Sequence, residues 1–210
     1  MTADLTQDLT VRRQRVGVFG GAFDPPHIAH LALVRSAIEQ LELDALRVIP
    51  TGHAWHKTRT LSPAEHRLNM ARLAFSSDSK VFVDDRETRR VGPSYTIDTL
   101  NALKAEQPQA DLFLIIGADQ ACSLTTWHRW QEVVQSATIC VAGRDNPSLP
   151  DGEFASPNTL EGGFLRLKMP LNPVSATAIR ARVANAEPIA ALVGEPVARY
   201  IAQHHLYLHT

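Results

Sequence analysis

The sequence predicts an α/β fold: a doubly wound parallel sheet in one domain, finished by C-terminal helices. Three observations predict it. Short apolar runs at residues 16–19, 46–49, 111–116 and 138–142 stop at Gly or Pro, as buried strands do. Segments with apolar residues at helical spacing separate them, and strands alternating with helices give a parallel sheet with right-handed crossovers. The unusual polar residues all fall just after strands, at the edge where a parallel sheet binds its ligands.

Residues 1–14 are polar and unpatterned and read as a flexible N-terminal extension. The domain proper is expected over 15–210. Its first strand (Val16, Val18, Phe19) ends at Gly20-Gly21. Asp24 is a good N-cap, and Pro25 or Pro26 suits a first helical position. Leu31, Val34, Ile38 and Leu41 then repeat at helical spacing. Such a strand-turn-helix unit gathers backbone N–H groups and the positive end of a helix dipole, which suits phosphate. His27 and His30, at i and i+3, share one face of the first turn; ordinary surface histidines are the alternative reading.

Residues 46–49 form a second strand, closed by Pro50 and followed by a polar loop over 51–60 with Trp55, His56 and Lys57. Ser62 to Glu65 has capping-box spacing with Pro63 just inside. The helix it opens turns Leu68, Ala71, Leu73 and Phe75 inward. Residues 80–83 form a third strand; Gly92-Pro93-Ser94 breaks the chain, and a helix follows over 95–105. Residues 111–116 are the most apolar strand, ending at Gly117-Ala118-Asp119 and leading into Trp127, His128, Arg129 and Trp130. A strand over 138–142 ends at Gly143-Arg144-Asp145. Residues 146–163 are a loop or lid candidate, rich in Pro, Gly, Ser and Asn. A last strand is expected over 164–167 and terminal helices over 175–184 and 196–204.

With 210 residues, the chain is long enough for a substantial core. A net charge of −1, from 21 basic and 22 acidic residues, argues against a broad nucleic-acid surface. No apolar run reaches the ~18 residues of a membrane span. Cys122 and Cys140 have neither disulfide nor zinc spacing. The acidic, polar start lacks the basic and apolar regions of a signal peptide. These features predict a cytoplasmic protein without membrane or nucleic-acid partners, as a monomer or a homodimer. There is no Walker lysine loop and no G-x-G-x-x-G. The histidine pair lacks the His-Glu-x-x-His form, so no metal ligand is assigned.

Gly20-Gly21-Ala22-Phe23-Asp24-Pro25-Pro26-His27-Ile28-Ala29-His30 resembles the G-G-x-F-D-P-x-H-x-G-H motif of the nucleotidyltransferase superfamily. Val174-Ser175-Ala176-Thr177-Ala178-Ile179-Arg180 resembles its second motif, I-S-S-T-x-I-R. Within that superfamily, four further stretches resemble the bacterial nicotinate-nucleotide adenylyltransferases. They are Trp55-His56-Lys57, Pro93-Ser94-Tyr95-Thr96, Ile116-Gly117-Ala118-Asp119 and Trp127-His128-Arg129-Trp130. Three positions depart from the pattern: Ala29 replaces a glycine, Ala176 a serine and Trp55 a proline. None removes a charged group.

The resemblance implies a Rossmann-like nucleotidyltransferase domain and a reaction: nicotinate mononucleotide and ATP give deamido-NAD and pyrophosphate, with Mg²⁺ carried on ATP. It implies that His27, His30 and Arg180 neutralise the phosphates as catalytic residues. Gly20, Gly21, Phe23, Ser175, Thr177, Lys57 and Arg144 would bind ATP, and Asp119, Thr96, Tyr95, Trp127 and His56 the mononucleotide. A histidine facing polyphosphate is expected in its charged form. Lys57 has a solvated loop lysine as its alternative, Tyr95 a core position, and Asp119 a helix cap; Trp130 reads as packing. The rival functions are a phosphopantetheine or CTP-dependent transferase, a non-catalytic nucleotide-binding module, and a tRNA synthetase fragment. The Ser-Tyr-Thr and Trp-x-x-Trp features, both histidines and Arg180, and the missing basic face count against these in turn.

Overall fold

A computed structural model describes residues 12–52, 61–144, 164–169 and 173–208. Six parallel strands form one sheet in the order β3-β2-β1-β4-β5-β6, the doubly wound Rossmann order. The strands are β1 (Arg15–Gly21), β2 (Ala45–Pro50), β3 (Val81–Val83), β4 (Asp111–Gly117), β5 (Thr138–Arg144) and β6 (Phe164–Met169). Strand order reverses between β1 and β4, so the crossovers leave in opposite directions there and open a crevice at the carboxyl edge.

The pleat sends alternate residues to opposite faces. On one face, Val16, Val18, Leu112, Leu114, Ile116, Ile139 and Val141 pack under α4 (Thr96–Glu106) and α6 (Trp130–Ser136). On the other, Phe19, Val48, Phe113, Ile115 and Cys140 pack under α1 (Ile28–Gln40) and α2 (Ala64–Ala74). The short helices α3 (Arg86–Arg89) and α5 (Ala118–Cys122) follow β3 and β4. The C-terminal helices α7 (Ala176–Ala184), α8 (Ala190–Val193) and α9 (Glu195–Gln203) build a third cluster with Met70 of α2. Among the described residues no helix is long and apolar enough to cross a membrane.

The expected strands and long helices are present, but four local readings differ. α1 starts at Ile28 with His27 as N-cap, because the Asp24 carboxyl is engaged elsewhere, by the Tyr207 hydroxyl at 2.7 Å and the Ser62 N–H at 3.2 Å. No capping box forms at Ser62: Pro63 is the N-cap of α2 and makes no side-chain cap bond. The inward face of α2 is set by Arg67, Met70 and Ala71, while Leu73 is 37% exposed. α3 and α8 were not expected; each spans only four residues, too few for a periodic pattern to register.

Arg67 is buried, and its guanidinium donates to four main-chain carbonyls. Nε reaches Ser62 O (2.9 Å), Nη1 reaches Ala22 O (3.0 Å) and Thr51 O (2.7 Å), and Nη2 reaches Gly52 O (3.1 Å). One side chain thus ties the loops after β1 and β2 to the start of α2. A Cβ on Gly52 would lie 2.0 Å from the Glu87 carbonyl oxygen, so only glycine lets α3 approach this close. Arg67→Met keeps length but orphans those carbonyls. It should lower unfolding stability in urea by about 3 kcal/mol; a loss below about 1 kcal/mol would show that water replaces the clasp.

Candidate active site

A cleft of about 520 Å³ opens at the carboxyl edge around β1 and β4. One wall is the end of β1 and the turn beyond it (Gly20, Gly21, Ala22), with His30 of α1. The opposite wall is Ser94, Tyr95, Thr96 and Thr99 at the start of α4, with Trp127 and His128. Each wall carries a helix N-terminus, whose first N–H groups lack intrahelical partners.

At the first wall the backbone N–H of His27 donates to His30 Nδ1 at 3.2 Å. A neutral His30 therefore carries its proton on Nε2. The two imidazoles are stacked, centroids 3.8 Å apart and planes 25° from parallel. His27 is 6% exposed, and its Nδ1 is buried without a hydrogen-bond partner among the described residues. Burial pushes this imidazole down to about 4, so His27 is neutral near pH 7; the charged form belongs to a histidine that faces polyphosphate. Phe23, expected at the nucleotide, is buried instead: its ring meets Phe19, His30 and Phe75 edge-on. A Cβ on Gly21 would come within 2.9 Å of that ring. Phe23 thus props the turn from below.

Arg180 is buried against the same turn, Nη1 donating to Asp24 O (2.8 Å) and Nη2 to Thr177 Oγ1 (3.0 Å). Ser175 caps α7 by accepting the Ala178 N–H at 3.2 Å. Both hydroxyls act here as acceptors, so each still has its own O–H to donate. The structure thus brings Arg180, with Thr177 bonded to it, against the turn that holds His27 and His30, while Ser175 caps the same helix as Arg180. Ala29 is half-buried in the first turn of α1 and does not line the cleft.

At the opposite wall Trp127 is half-buried, with one side packed on the core under α4. Tyr95 serves both of its readings: it packs on that core and lines the cleft. Its ring stacks with His128, centroids 4.2 Å apart. Asp119 is exposed in the first turn of α5, outside the cleft lining. Arg144 is the last residue of β5. Trp55, His56, Lys57 and the 146–163 loop lie outside the described residues.

The sequence does not single out three residues of this wall. It marks His128 only as a neighbour of Trp127. Ser94 Oγ is buried without a partner among the described residues. Glu87 is buried and lines the cleft; desolvation raises its carboxyl pKa, against the Thr99 hydroxyl, which donates to Oε1 at 2.8 Å. A glutamate in a run of charges, Asp84-Asp85-Arg86-Glu87, reads as a solvated face. Only the four-residue helix α3 turns this one inward.

The His27 pKa fixes a pH dependence. Its folded value of about 4 lies below its ordinary 6.5, so below pH 6.5 the unfolded chain takes up a proton that the folded chain refuses. Its contribution is complete above that pH and lost as pH falls toward 4, a difference of about 3 kcal/mol. His27→Gln should flatten the stability–pH slope in this window, measured by urea unfolding. A slope equal to that of the unaltered protein would show that His27 is protonated in the fold.

The comparisons agree with this geometry. Residues 18–182 match the family model described as Cytidylyltransferase-like. A protein of Albidiferax ferrireducens named "Probable nicotinate-nucleotide adenylyltransferase" is 59% identical over 194 residues, covering 92% of this chain and 98% of its own. One of Chromobacterium violaceum with the same name is 39% identical, covering 92% and 98%. The solved Plasmodium falciparum nicotinic acid mononucleotide adenylyltransferase complexed with NaAD has a TM-score of 0.75 at 19% identity, over 94% of this chain and 99% of that one. The last shares the fold. The family match and the identities establish the lineage: this chain belongs to the cytidylyltransferase-like family, among the nicotinate-nucleotide adenylyltransferases.

Proposed function

We propose that this chain, acting as one nucleotidyltransferase domain over 15–210, transfers the adenylyl group of ATP to nicotinate mononucleotide, releasing pyrophosphate and forming deamido-NAD. The observation that carries this reading is the cleft's two-sided lining, a glycine turn with His30 facing a Tyr95–Thr96–Trp127 wall. The first suits a triphosphate and the second a planar anionic ring.

In the reaction an oxygen of the mononucleotide's 5′-phosphate attacks the α-phosphorus of ATP. The bond from that phosphorus to the bridging oxygen breaks, and pyrophosphate leaves with the electron pair. The attacking phosphate is already anionic at neutral pH, so alignment and charge neutralisation carry the catalysis. The glycine turn and the first N–H groups of α1 receive phosphate oxygens. His30 Nε2–H donates to the triphosphate, Arg180 supplies fixed positive charge, and Ser175 and Thr177 offer their hydroxyl protons. Lys57 and Arg144 add cations on the ATP side. Trp127 stacks on the pyridine ring, while Thr96 and the first amides of α4 meet its carboxylate. Asp119 and His56 are assigned to the mononucleotide.

A divalent cation accompanies ATP in this chemistry, and we assign it as Mg²⁺. Among the described residues no group of three His, Cys, Asp or Glu side chains converges on one point. The fit is therefore to a cation held by phosphate oxygens and water, where it withdraws charge from the leaving pyrophosphate. We place the reaction in the cytoplasm, consistent with the unpaired Cys122 and Cys140.

The test is pyrophosphate release from ATP and Mg²⁺ with nicotinate mononucleotide, nicotinamide mononucleotide or phosphopantetheine, with CTP replacing ATP in a parallel set. Turnover confined to ATP with a pyridine mononucleotide is expected, and its absence would overturn the proposal. Trp127→Ala should weaken the mononucleotide about tenfold, a stacking contribution of 1–3 kcal/mol, with KM for ATP unmoved. His30→Ala should lower kcat by about a hundredfold or more, with little change in mononucleotide affinity. Equal losses in both would remove its transition-state role.

A further inference from the structure

Tyr207 lies just beyond α9, at the far end of the sequence from the glycine turn, yet its ring is 8% exposed in the cluster with Met70 and Ile201. Its hydroxyl donates to Asp24 Oδ1 at 2.7 Å, while Asp24 Oδ2 accepts the Ser62 N–H at 3.2 Å. The main-chain carbonyl of the same Asp24 accepts Arg180 Nη1 at 2.8 Å, and Thr177 holds the other nitrogen at 3.0 Å. Asp24, Arg180 and Tyr207 are 2%, 8% and 8% exposed, so solvent is poorly placed to replace any of these bonds.

We infer that Tyr207 is a positioning residue for adenylyl transfer: it fixes Asp24, and through the Asp24 carbonyl it fixes the Arg180 guanidinium beside the glycine turn. This rests on the reading of the cleft given above. Two features separate the bond from simple packing. Asp24 opens the three-residue stretch Asp24-Pro25-Pro26, which has one main-chain N–H because the prolines have none. Side-chain bonds must therefore hold the turn. The Tyr207 phenol is kept protonated, raised first by burial and then by the charge of Asp24, so it acts as a donor at any working pH. The clasp closes only when the C-terminal helices are docked, which makes the last turn of the chain part of the active-site scaffold.

Tyr200 supplies an internal control. Its hydroxyl lies 3.0 Å from His66 Nδ1 and accepts from Asn69 Nδ2 at 3.2 Å. It joins α9 to α2, beside the segment that carries Tyr207, without reaching Asp24 or Arg180 through these bonds. Tyr207→Phe and Tyr200→Phe each remove one oxygen and keep the ring. Three quantities decide the case: melting temperature, the rise in melting temperature caused by ATP, and kcat with KM for both substrates. For Tyr207→Phe we expect kcat to fall about tenfold, the low end for a lost bond to a charged group. Its ATP-induced rise should shrink, and KM for the mononucleotide should stay within about twofold. Tyr200→Phe should lower melting temperature alone. A Tyr207→Phe enzyme with unaltered kcat and ATP-induced rise overturns the inference. So does a pair of variants that lose kcat equally, since that would report general loosening of α2 on α9. The ATP-induced rise needs no turnover. An unaltered protein that releases no pyrophosphate would defeat the adenylyl-transfer reading, and the melting comparison would still judge the clasp.

Discussion

The site depends on holding the backbone of residues 20–27 in one shape where few of its own hydrogen bonds can do so. Asp24-Pro25-Pro26 lacks two main-chain N–H donors, so no regular ladder can stabilise it. The chain substitutes side chains from distant segments. Arg67 ties the Ala22 carbonyl, Arg180 the Asp24 carbonyl and Tyr207 the Asp24 carboxyl. Phe23 fills the space beneath. Arg67, Arg180 and Tyr207 reach in from α2, α7 and the segment beyond α9, which share one hydrophobic cluster, so the turn is fixed only when all three are docked. A turn held this way keeps its amides ready for a ligand, because ordering was completed when the chain folded.

That arrangement explains what the sequence could and could not disclose. The sheet was legible because its signals are local: apolar runs such as Val16–Phe19 and Leu112–Ile116 stop at glycine, and the intervening helices carry apolar stripes. The edge bearing the site followed from topology alone, since Gly20, Tyr95 and Trp127 all come after strand ends. Arg67 was not legible. An arginine between His66 and Leu68 gives no local sign that its guanidinium will be buried on four carbonyls. Asp24 looked like an N-cap for a sound local reason, and the local rule lost to a partner 183 residues away. Glu87 and Ser94 were hidden for the same reason.

The two walls differ in what they require of the fold. Trp127 and Tyr95 are half-sunk in the core under α4 and also line the cleft, so packing gives them a fixed place at its edge. The phosphate wall must present donors, and donors buried without partners are costly. The protein limits that cost by engaging its polar groups among themselves until a ligand arrives. Ser175 and Thr177 accept internal bonds yet keep a proton to give, and Arg180 rests on the Asp24 carbonyl and the Thr177 hydroxyl.

His27 shows the same logic carried to its charge state. A permanently charged imidazole packed 3.8 Å from another ring and 6% exposed would repel any charge on its neighbour and lose hydration. Neutral, it is tolerated, and its pKa near 4 keeps it so across the working range. A polyanion in the cleft reverses the balance, because negative charge favours the protonated form. Stabilisation then grows with the charge it answers, and charge on the phosphates redistributes most at the transition state. A group that responds to that change contributes to kcat, whereas one already fully engaged in the ground state would mainly tighten binding. On the proposed reading, the buried and stacked His27 is thus a responsive charge and not a standing one.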